Sequence, residues 1–263
     1  GRYIMKQTEI QLINDHFQNF KVYGIPKAQL VIADIPYNLN EKAYASSPQW
    51  YIDGDNKNGE SNLAGKAFFD TDVDFRISEF MHFCSQMLIK EPKETGKAPA
   101  MVVFCAFEQL PMVINYGEKH GFKNYIPLVF IKNYSAQVLK ANMKIVGATE
   151  YALVLYRNKL PKFYNNGRMI FNWFAWTKDN SLPKIHPTQK PLPVLKKLIE
   201  IFTDVGDVVI DPVAGSGTTL RACAEMNRSC YGFEIKRNLC KEAKSRILDA
   251  CQISYLYNSS EAT

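Results

Sequence analysis

The last third of the chain carries the pattern that most restricts its fold: an apolar run, a glycine turn, a helix and a second apolar run. Residues 207–210 are predicted to form a strand, residues 217–226 a helix and residues 230–233 the next strand. A strand that returns through a helix to a parallel neighbour is the building unit of α/β sheets. The unit therefore predicts a mostly parallel sheet with helices on its faces.

The same alternation recurs along the rest of the chain. Helical spacing of apolar residues is found at residues 75–90, 110–120, 192–202 and 237–251, and strand-like runs lie at residues 10–13, 29–33, 100–106, 125–131 and 151–156. Two stretches, residues 38–71 and about 131–183, are largely irregular and are predicted to be insertions with a function, because long loops in compact domains are usually functional or disordered. No repeat or linker divides the chain, so residues 1–263 are expected to form a single domain.

The composition of the 263 residues limits the classes of protein to consider. No apolar run approaches the roughly 18 residues of a membrane span, and no signal peptide is recognised, so an intracellular, cytoplasmic protein is expected. Six cysteines without a Cys-x-x-Cys pair and four scattered histidines argue against disulfides and against a bound metal. The net charge of +6 permits a polyanionic partner without requiring one.

The glycine turn between the last two predicted strands reads Asp211-Pro212-Val213-Ala214-Gly215-Ser216-Gly217-Thr218-Thr219. Gly215 and Gly217 can take positive φ angles and let a ligand approach the backbone closely. The helix that begins near Thr218 adds N–H groups and the positive end of its dipole, which suit the carboxylate of a bound amino acid. Asp211 can accept a hydrogen bond from an ammonium group. Taken alone, however, such a turn is equally well explained without a ligand.

The acidic residue Glu234 follows the second strand of this unit, where a carboxylate typically binds ribose hydroxyls. A surface glutamate is the alternative explanation. The turn lacks the Lys-Ser or Lys-Thr pair of a phosphate-binding loop and the full Gly-x-Gly-x-x-Gly of a dinucleotide site. We therefore interpret it as a cofactor site of another kind.

A second motif, Asp34-Ile35-Pro36-Tyr37, follows the buried run at residues 29–33. Pro36 fixes its own φ and pushes Ile35 out of the helical region, so the Ile35 carbonyl is held in one direction. That carbonyl and the Asp34 carboxylate are two acceptors, which match the two hydrogens of an amino group and stabilise positive charge that develops on its nitrogen. Tyr37 offers a ring on which a flipped base can stack. The alternative is a proline turn with a packed tyrosine.

Together these segments resemble the DNA amino-methyltransferases. Residues 34–37 are similar to the Asp-Pro-Pro-Tyr motif of that family, residues 211–219 resemble its S-adenosylmethionine loop, and His186-Pro187-Thr188-Gln189-Lys190-Pro191 resembles the segment before that loop in one subgroup. The catalytic motif precedes the cofactor loop, which is the circularly permuted order of the β class. Ile35 departs from the commoner proline and leaves the turn less rigid.

The resemblance implies a permuted, Rossmann-like class I methyltransferase fold of the α/β class. It also implies transfer of a methyl group from S-adenosyl-L-methionine to N6 of adenine in duplex DNA, after base flipping, by direct attack of the amine. The leading Asp34 favours adenine, because cytosine-N4 enzymes more often have Ser there. The catalytic residues would be Asp34, Ile35, Pro36 and Tyr37. The implied cofactor contacts are Asp15, Asp34, Thr188, Gln189, Lys190, Asp211, Pro212, Ala214, Gly215, Ser216, Gly217, Thr218, Thr219, Glu234 and Ile235.

The insertions are the candidates for contact with double-stranded DNA. Residues 38–71 are predicted to clamp the flipped base, and residues 131–183 to recognise the target sequence. Basic side chains there suit phosphates and aromatic ones suit bases. The candidates are Trp50, Tyr51, Lys132, Lys140, Lys144, Arg168, Trp173 and Trp176. For any one of them, a solvated basic face with aromatic residues packed beneath it is the alternative.

Other functions agree with the same motifs. A cytosine-N4 methyltransferase needs the same chemistry, and a catalytically silent DNA-binding relative would keep the fold. Methylation of RNA or of a protein amide is disfavoured, because family members with those substrates generally have the unpermuted order. The resemblance further suggests a restriction-modification role, association with the nucleoid and a possible homodimer.

Overall fold

The computed structural model describes residues 8–36, 75–134, 137–140 and 142–249. Its centre is an eight-stranded sheet, accompanied by a separate two-stranded ribbon. The strands are β1 (Ile10–Ile13), β2 (Leu30–Asp34), β3 (Ala100–Cys105), β4 (Asn124–Lys132), β5 (Gln137–Lys140), β6 (Ile145–Gly147), β7 (Thr149–Tyr156), β8 (Trp173–Trp176), β9 (Val208–Asp211) and β10 (Ser229–Phe233). Strands β5 and β6 form the ribbon.

The order of strands across the sheet is β1-β10-β9-β2-β3-β7-β4-β8. The first five are mutually parallel, β7 runs antiparallel to both of its neighbours, and β8 is parallel to β4. From β9 the chain continues to β10 on one side, and from β2 it continues to β3 on the other. The carboxyl ends of β9 and β2 therefore flank a topological switch point, where open α/β sheets bind ligands.

Helices cover both faces of the sheet, as the alternation of elements predicts. They are α1 (Ile77–Met87), α2 (Leu110–Lys119), α3 (Leu192–Phe202), α4 (Thr218–Glu225) and α5 (Arg237–Ala243). One apolar cluster packs α1 and α2 against one face, and a second packs α3, α4 and α5 against the other. Within β2 the side chains divide between the two clusters, Val31 in one and Ile32 in the other, which explains why the strand reads as an unbroken apolar run. None of the described helices is long and apolar enough to cross a membrane.

Two segments predicted to be irregular contain regular structure. The ribbon β5–β6 lies within residues 132–149, and β8 lies within residues 157–183. The prediction was wrong there because these strands are short and peripheral: Ile145 and Val146 are both exposed, so no alternation of apolar and polar residues marks the strand. The predicted helix at 237–251 is also broken, because α5 passes into a π-helical turn at Lys244–Leu248.

Candidate active site

A cleft of about 1330 Å³, a volume that includes its open mouth, lies at the carboxyl ends of β2 and β9. It brings together the two motifs and the segment at 186–191, which are far apart in the sequence. Among the predicted site residues, the lining contains Asp34, Ile35, Pro36, Thr188, Gln189, Lys190, Asp211, Pro212, Ala214, Gly215, Ser216, Thr218, Thr219, Glu234 and Ile235. Tyr37 and the whole predicted clamp, residues 38–71, lie outside the described residues.

The glycine turn has the backbone that its sequence predicts. Gly215 and Gly217 have φ angles of 54° and 79°, and Gly217 caps the amino end of α4. The amides of both glycines are engaged by the protein itself, because Gly215 N–H donates to Glu234 Oε2 (3.0 Å) and Gly217 N–H donates to the Ala214 carbonyl (2.9 Å). The amides of the first helical turn, beginning at Thr218, have no acceptor within their own helix and remain suited to a ligand.

Glu234 shapes this end of the cleft from the carboxyl end of β10. One carboxylate oxygen accepts the Gly215 amide and the other accepts the Lys236 amide at 2.7 Å. The side chain of Asn14 donates to the Glu234 carbonyl at 2.8 Å and so ties β1 to the same turn. Burial raises the pKa of Glu234 above its ordinary value. The carboxylate thus faces the cleft while it holds the glycine turn in place.

Asp211 lies at the end of β9 and is 4% exposed. Its carboxylate accepts the Val213 amide at 3.1 Å and a hydrogen bond from the Thr219 hydroxyl. Burial nevertheless raises the pKa of Asp211 to about 7, and the neighbouring carboxylates of Asp34 and Glu234 add to the rise. Three acidic groups around one cleft favour a ligand that carries positive charge, since such a ligand would relieve their mutual repulsion.

Asp34 forms a partly buried ion pair that the sequence did not predict. Lys190 Nζ donates to Asp34 Oδ2 at 2.5 Å, and the Lys190 side chain is 8% exposed while that of Asp34 is 27% exposed. Burial raises the pKa of Asp34, and the ammonium group of Lys190 limits that rise. Burial alone would lower the pKa of Lys190, but the carboxylates of Asp34 and Glu150 raise it overall. Lys190 therefore stays protonated beside a carboxylate that faces the cleft.

The turn after β2 is braced by Gln109, a residue that sequence reasoning missed. The Ile35 amide extends the sheet by donating to the Phe104 carbonyl at 3.1 Å. The Gln109 side chain, 3% exposed, donates from Nε2 to the Pro36 carbonyl at 3.0 Å and accepts the Ala106 amide at 3.0 Å. Gln109 thus links the turn after β2 to the turn after β3. No sequence signal marks it, because the contact depends on the pairing of the two strands.

Asp15 follows β1 beside the cleft, and its implied contact with the cofactor stays a prediction. One carboxylate oxygen accepts from the Asn19 side chain at 2.8 Å, and the other accepts from the Tyr23 hydroxyl at 2.5 Å. These bonds outweigh the effect of partial burial and lower the pKa of Asp15. Its neighbours His16 and Phe17 line the cleft, and Asp15 itself is absent from the described lining. Its polar atoms hold the local turn.

The segment at 183–190 uses its own polar groups to fold back on itself. The Gln189 side chain accepts the Ile185 amide at 3.0 Å and donates to the Pro183 carbonyl at 3.1 Å, and His186 Nδ1 accepts the Thr188 amide at 3.3 Å. Burial, together with nearby lysines, lowers the pKa of His186 to about 4. This imidazole is therefore neutral around pH 7.

The predicted DNA contacts divide into four groups. Trp176 is a correction, because its side chain is 4% exposed and belongs to the core, so it offers no surface to DNA. Lys132 is partly buried and is paired with Glu150 at 2.5 Å, and its contact with DNA stays a prediction. Trp176 is buried because alternation along β8 turns its side chain toward the core. Four predicted contacts, Lys140, Lys144, Arg168 and Trp173, are exposed. Trp50 and Tyr51 lie outside the described residues.

The ribbon β5–β6 connects the carboxyl end of β4 to the start of β7, and the segment after β8 runs to the cleft. Because β4 and β8 run together while β7 runs opposite, these connections emerge at the edge that carries Asp34. Basic Lys140 and Lys144 on the ribbon therefore lie on the same edge as the cleft. Among the described residues, no group of His, Cys, Asp and Glu has the arrangement of a metal site.

Several curated proteins are similar to parts of this chain. The DNA adenine methyltransferase YhdJ of Escherichia coli (strain K12) is 30% identical over 137 residues, which are 49% of this chain and 47% of YhdJ. The type II methyltransferase M.HindIII of Haemophilus influenzae is 44% identical over 62 residues, 24% of this chain and 20% of that protein. The matched segments thus span less than two thirds of either relative.

Solved structures share the fold along most of the chain. M1.HpyAVI in complex with SAM superposes with a TM-score of 0.65 at 20% identity, covering 92% of this chain and 100% of that one. The cytosine-N4-specific PvuII DNA methyltransferase has a TM-score of 0.65 at 15% identity, covering 95% and 89%. At such identities the likeness establishes the class I methyltransferase fold. The model of the N6/N4 DNA methylase family matches residues 28–245, more than half of the chain, and the chain therefore belongs to this family.

Proposed function

We propose that the chain transfers a methyl group from S-adenosylmethionine to the exocyclic amino group of a base in double-stranded DNA. The observation that carries the proposal is the meeting of Asp34 and the glycine turn in one cleft at the switch point of the sheet. One motif offers acceptors for an amine, and the other offers a site for a cofactor. Membership of the DNA methylase family supports the same activity.

The electrostatics of the cleft suit this cofactor. S-adenosylmethionine carries a sulfonium and an ammonium group against one carboxylate, so its net charge is positive. The carboxylates of Asp34, Asp211 and Glu234 would attract it, and the amides at the start of α4 would receive its carboxylate. Glu234 would accept from the ribose hydroxyls, with Ile235 against the adenine ring.

In the proposed reaction the target base leaves the stack and its amino nitrogen attacks the methyl group directly. Asp34 and the Ile35 carbonyl accept the two amine hydrogens and stabilise the positive charge that develops on nitrogen. The C–N bond forms as the C–S bond breaks, S-adenosylhomocysteine leaves, and the extra proton passes to Asp34 or to solvent. No covalent enzyme intermediate is required.

We infer that the target is N6 of adenine. The leading Asp34 and the partial identity to a protein described as a DNA adenine methyltransferase support this choice, and N4 of cytosine is the alternative. The strand that ends in Asp34 precedes the strand of the cofactor loop, which supports the β-class order. We further propose residues 131–183 for target recognition, residues 38–71 for clamping, and a restriction-modification role like that of the type II relatives.

The test is base-resolved sequencing of methylated positions in DNA from cells that express the chain, which identifies both the base and its sequence context. We expect N6-methyladenine at one short sequence. Asp34→Ala should abolish the methyl mark and leave cofactor binding largely in place, while Glu200→Ala, on the exposed side of α3, serves as the matched control. Full methylation by Asp34→Ala would refute the mechanism, and DNA that is bound but never methylated would indicate a silent relative.

A further inference from the structure

We propose that the ammonium group of Lys190 donates a hydrogen bond to the ring nitrogen beside the target amino group, so that Asp34 and Lys190 together read one edge of the flipped base. The inference deepens the proposed function and rests on it. Its starting point is the partly buried ion pair, in which Lys190 Nζ lies 2.5 Å from Asp34 Oδ2. It replaces the cofactor contact that the sequence implied for Lys190.

The ammonium group has donors to spare at this position. It carries three N–H bonds and Asp34 accepts one of them. Its nitrogen lies 5.2 Å from the centroid of the Phe104 ring and 5.5 Å from that of Trp176, so aromatic faces hold it from the protein side. The 8% of the side chain that stays exposed borders the cleft, which Lys190 lines. A further N–H can therefore reach a ligand in the cleft.

The second oxygen of Asp34 completes the arrangement. Among the described residues, Lys190 is the hydrogen-bond donor to Asp34, and it uses Oδ2, so Oδ1 can accept from the target amine. The two oxygens of a carboxylate are spaced much like an amino nitrogen and the ring nitrogen next to it. A base whose amine meets Oδ1 therefore places its ring nitrogen on the side of Oδ2, where Lys190 Nζ lies.

This pair selects a particular pattern of donors and acceptors. Adenine presents its N6 amine beside the acceptor N1, and cytosine presents its N4 amine beside the acceptor N3, so both match an acceptor next to a donor. At the positions that correspond to the adenine and cytosine amines, guanine (O6 and N1–H) and thymine (O4 and N3–H) present a carbonyl oxygen beside an N–H, which is the reverse pattern and would leave buried polar groups unpaired. The pair thus rejects those two bases before chemistry, and the size of the pocket must separate adenine from cytosine.

A second ion pair keeps Lys190 in place and charged. Lys132 and Glu150 are joined at 2.5 Å, and the Lys132 ammonium lies 5.2 Å from the centroid of the Trp176 ring, which Lys190 also contacts. The carboxylates of Asp34 and Glu150 raise the pKa of Lys190 despite its burial. A protonated amine with a fixed position is the donor that a ring nitrogen requires.

The test uses duplex oligonucleotides with the methylated sequence found by sequencing. The target adenine is replaced by 1-deazaadenine, in which C–H stands in place of N1, or by 7-deazaadenine, which keeps N1 and the amine. We expect the wild type to methylate the 1-deaza duplex with a kcat/KM about 10- to 100-fold below that for the 7-deaza duplex, as expected for loss of one charge-assisted hydrogen bond.

Lys190→Met separates this contact from the intrinsic reactivity of the analogues. In this variant the ratio between the two duplexes should shrink by about the same 10- to 100-fold, whereas Lys190→Arg, which keeps a donor, should retain part of the discrimination. If Lys190→Met is too impaired to assay, binding of the two duplexes is compared between this variant and the wild type, because binding does not depend on the reactivity of the amine: loss of the preference for the 7-deaza duplex supports the contact, and an unchanged preference overturns it. If sequencing finds N4-methylcytosine, 3-deazacytosine takes the place of 1-deazaadenine, because N3 then holds the position of N1.

The outcomes distinguish this inference from the proposed function. Methyl transfer to unmodified DNA with equal rates on both analogues overturns the role of Lys190 and leaves the function standing. An unchanged ratio in Lys190→Met does the same. A raised dissociation constant for S-adenosylmethionine in Lys190→Met, together with equal analogue rates, would return Lys190 to the cofactor. Absence of methyl transfer to any DNA refutes both.

Discussion

The carboxyl group of Asp211 makes folding of the ligand-free chain depend on pH, and Asp211→Asn should remove that dependence. Burial raises the pKa of Asp211 from 3.8 to about 7. The folded state therefore binds a proton that the unfolded state has released, and between these two values the stability contributed by this group falls as pH rises. Asparagine keeps the oxygen that accepts the Val213 amide and carries no charge.

The size of the effect follows from that difference in pKa. Raising a carboxyl pKa from 3.8 to about 7 corresponds to about 4 kcal/mol above pH 7, because each pKa unit is worth about 1.4 kcal/mol. Asp211→Asn should therefore raise the free energy of unfolding of the ligand-free protein at about pH 8.5. The difference in this free energy between variant and wild type should be smaller by about 2–3 kcal/mol at about pH 5. Acidic neighbours Asp34 and Glu234 contribute to this cost, so the gain has an electrostatic origin.

The assay is urea unfolding of wild type and variant across this pH range, with the free energy taken from linear extrapolation. Asp179→Asn is a control of opposite sign. The hydrogen bonds that Asp179 accepts from Ser181 and Leu192 outweigh its partial burial and lower its pKa from 3.8, so that variant should be destabilised by an amount that stays constant between about pH 5 and about pH 8.5. A difference between Asp211→Asn and wild type that does not change with pH would refute the reasoning.

Three further predictions concern packing, positioning and the pH profile. A Cβ at Gly232 would lie 2.7 Å from the Leu220 side chain, so Gly232→Ala should lower the free energy of unfolding in urea by about 1–3 kcal/mol. Gly117→Ala is the control and should lower it less, because the nearest contact of its Cβ would be at 3.4 Å. Equal losses in the two variants would contradict the prediction. Gln109→Leu removes the donor to the Pro36 carbonyl and should lower kcat of the proposed methyl transfer about tenfold. Gln29→Leu, at the other end of β2, is the control and should lower stability without lowering kcat. Equal kcat values in the two variants would show that Gln109 does not position the turn after β2. Burial raises the pKa of Asp34 and the ammonium group of Lys190 limits that rise, so kcat should fall as pH drops through the pKa of Asp34. In Lys190→Met this fall in kcat should occur at higher pH, because the ammonium group is gone. The same dependence of kcat on pH in both proteins would count against the ion pair.

Much of the fold follows from local patterns in the sequence. The run at 29–33 and the unit at 207–233 predict buried parallel strands, because residues covered on both faces are apolar without interruption. Gly215 and Gly217 adopt the positive φ angles that only glycine accommodates easily, so the shape of the turn was readable from two residues. The ribbon β5–β6 was not predicted, because its exposed residues Ile145 and Val146 give no alternation of apolar and polar side chains.

The candidate site could be predicted only in part, because many of its contacts join segments distant in sequence. The motif at Asp34 and the turn at Asp211 were each ambiguous alone, and their meeting in one cleft depends on the adjacency of β2 and β9. Neither the Lys190–Asp34 ion pair nor the link from Gln109 to Pro36 has a local signature. Trp176, which the sequence predicts to contact DNA, is buried, and Lys132 is paired with Glu150.

The amino-acid sequence by itself thus determined the α/β class, the order of the two motifs and the types of chemical group that each supplies. Only the tertiary structure decided which of those groups meet and in which charge state. The physical reason is that hydrophobic periodicity and glycine conformations act over a few residues, whereas burial, ion pairing and the pKa of Asp211 or Asp34 depend on neighbours that the folded sheet brings together.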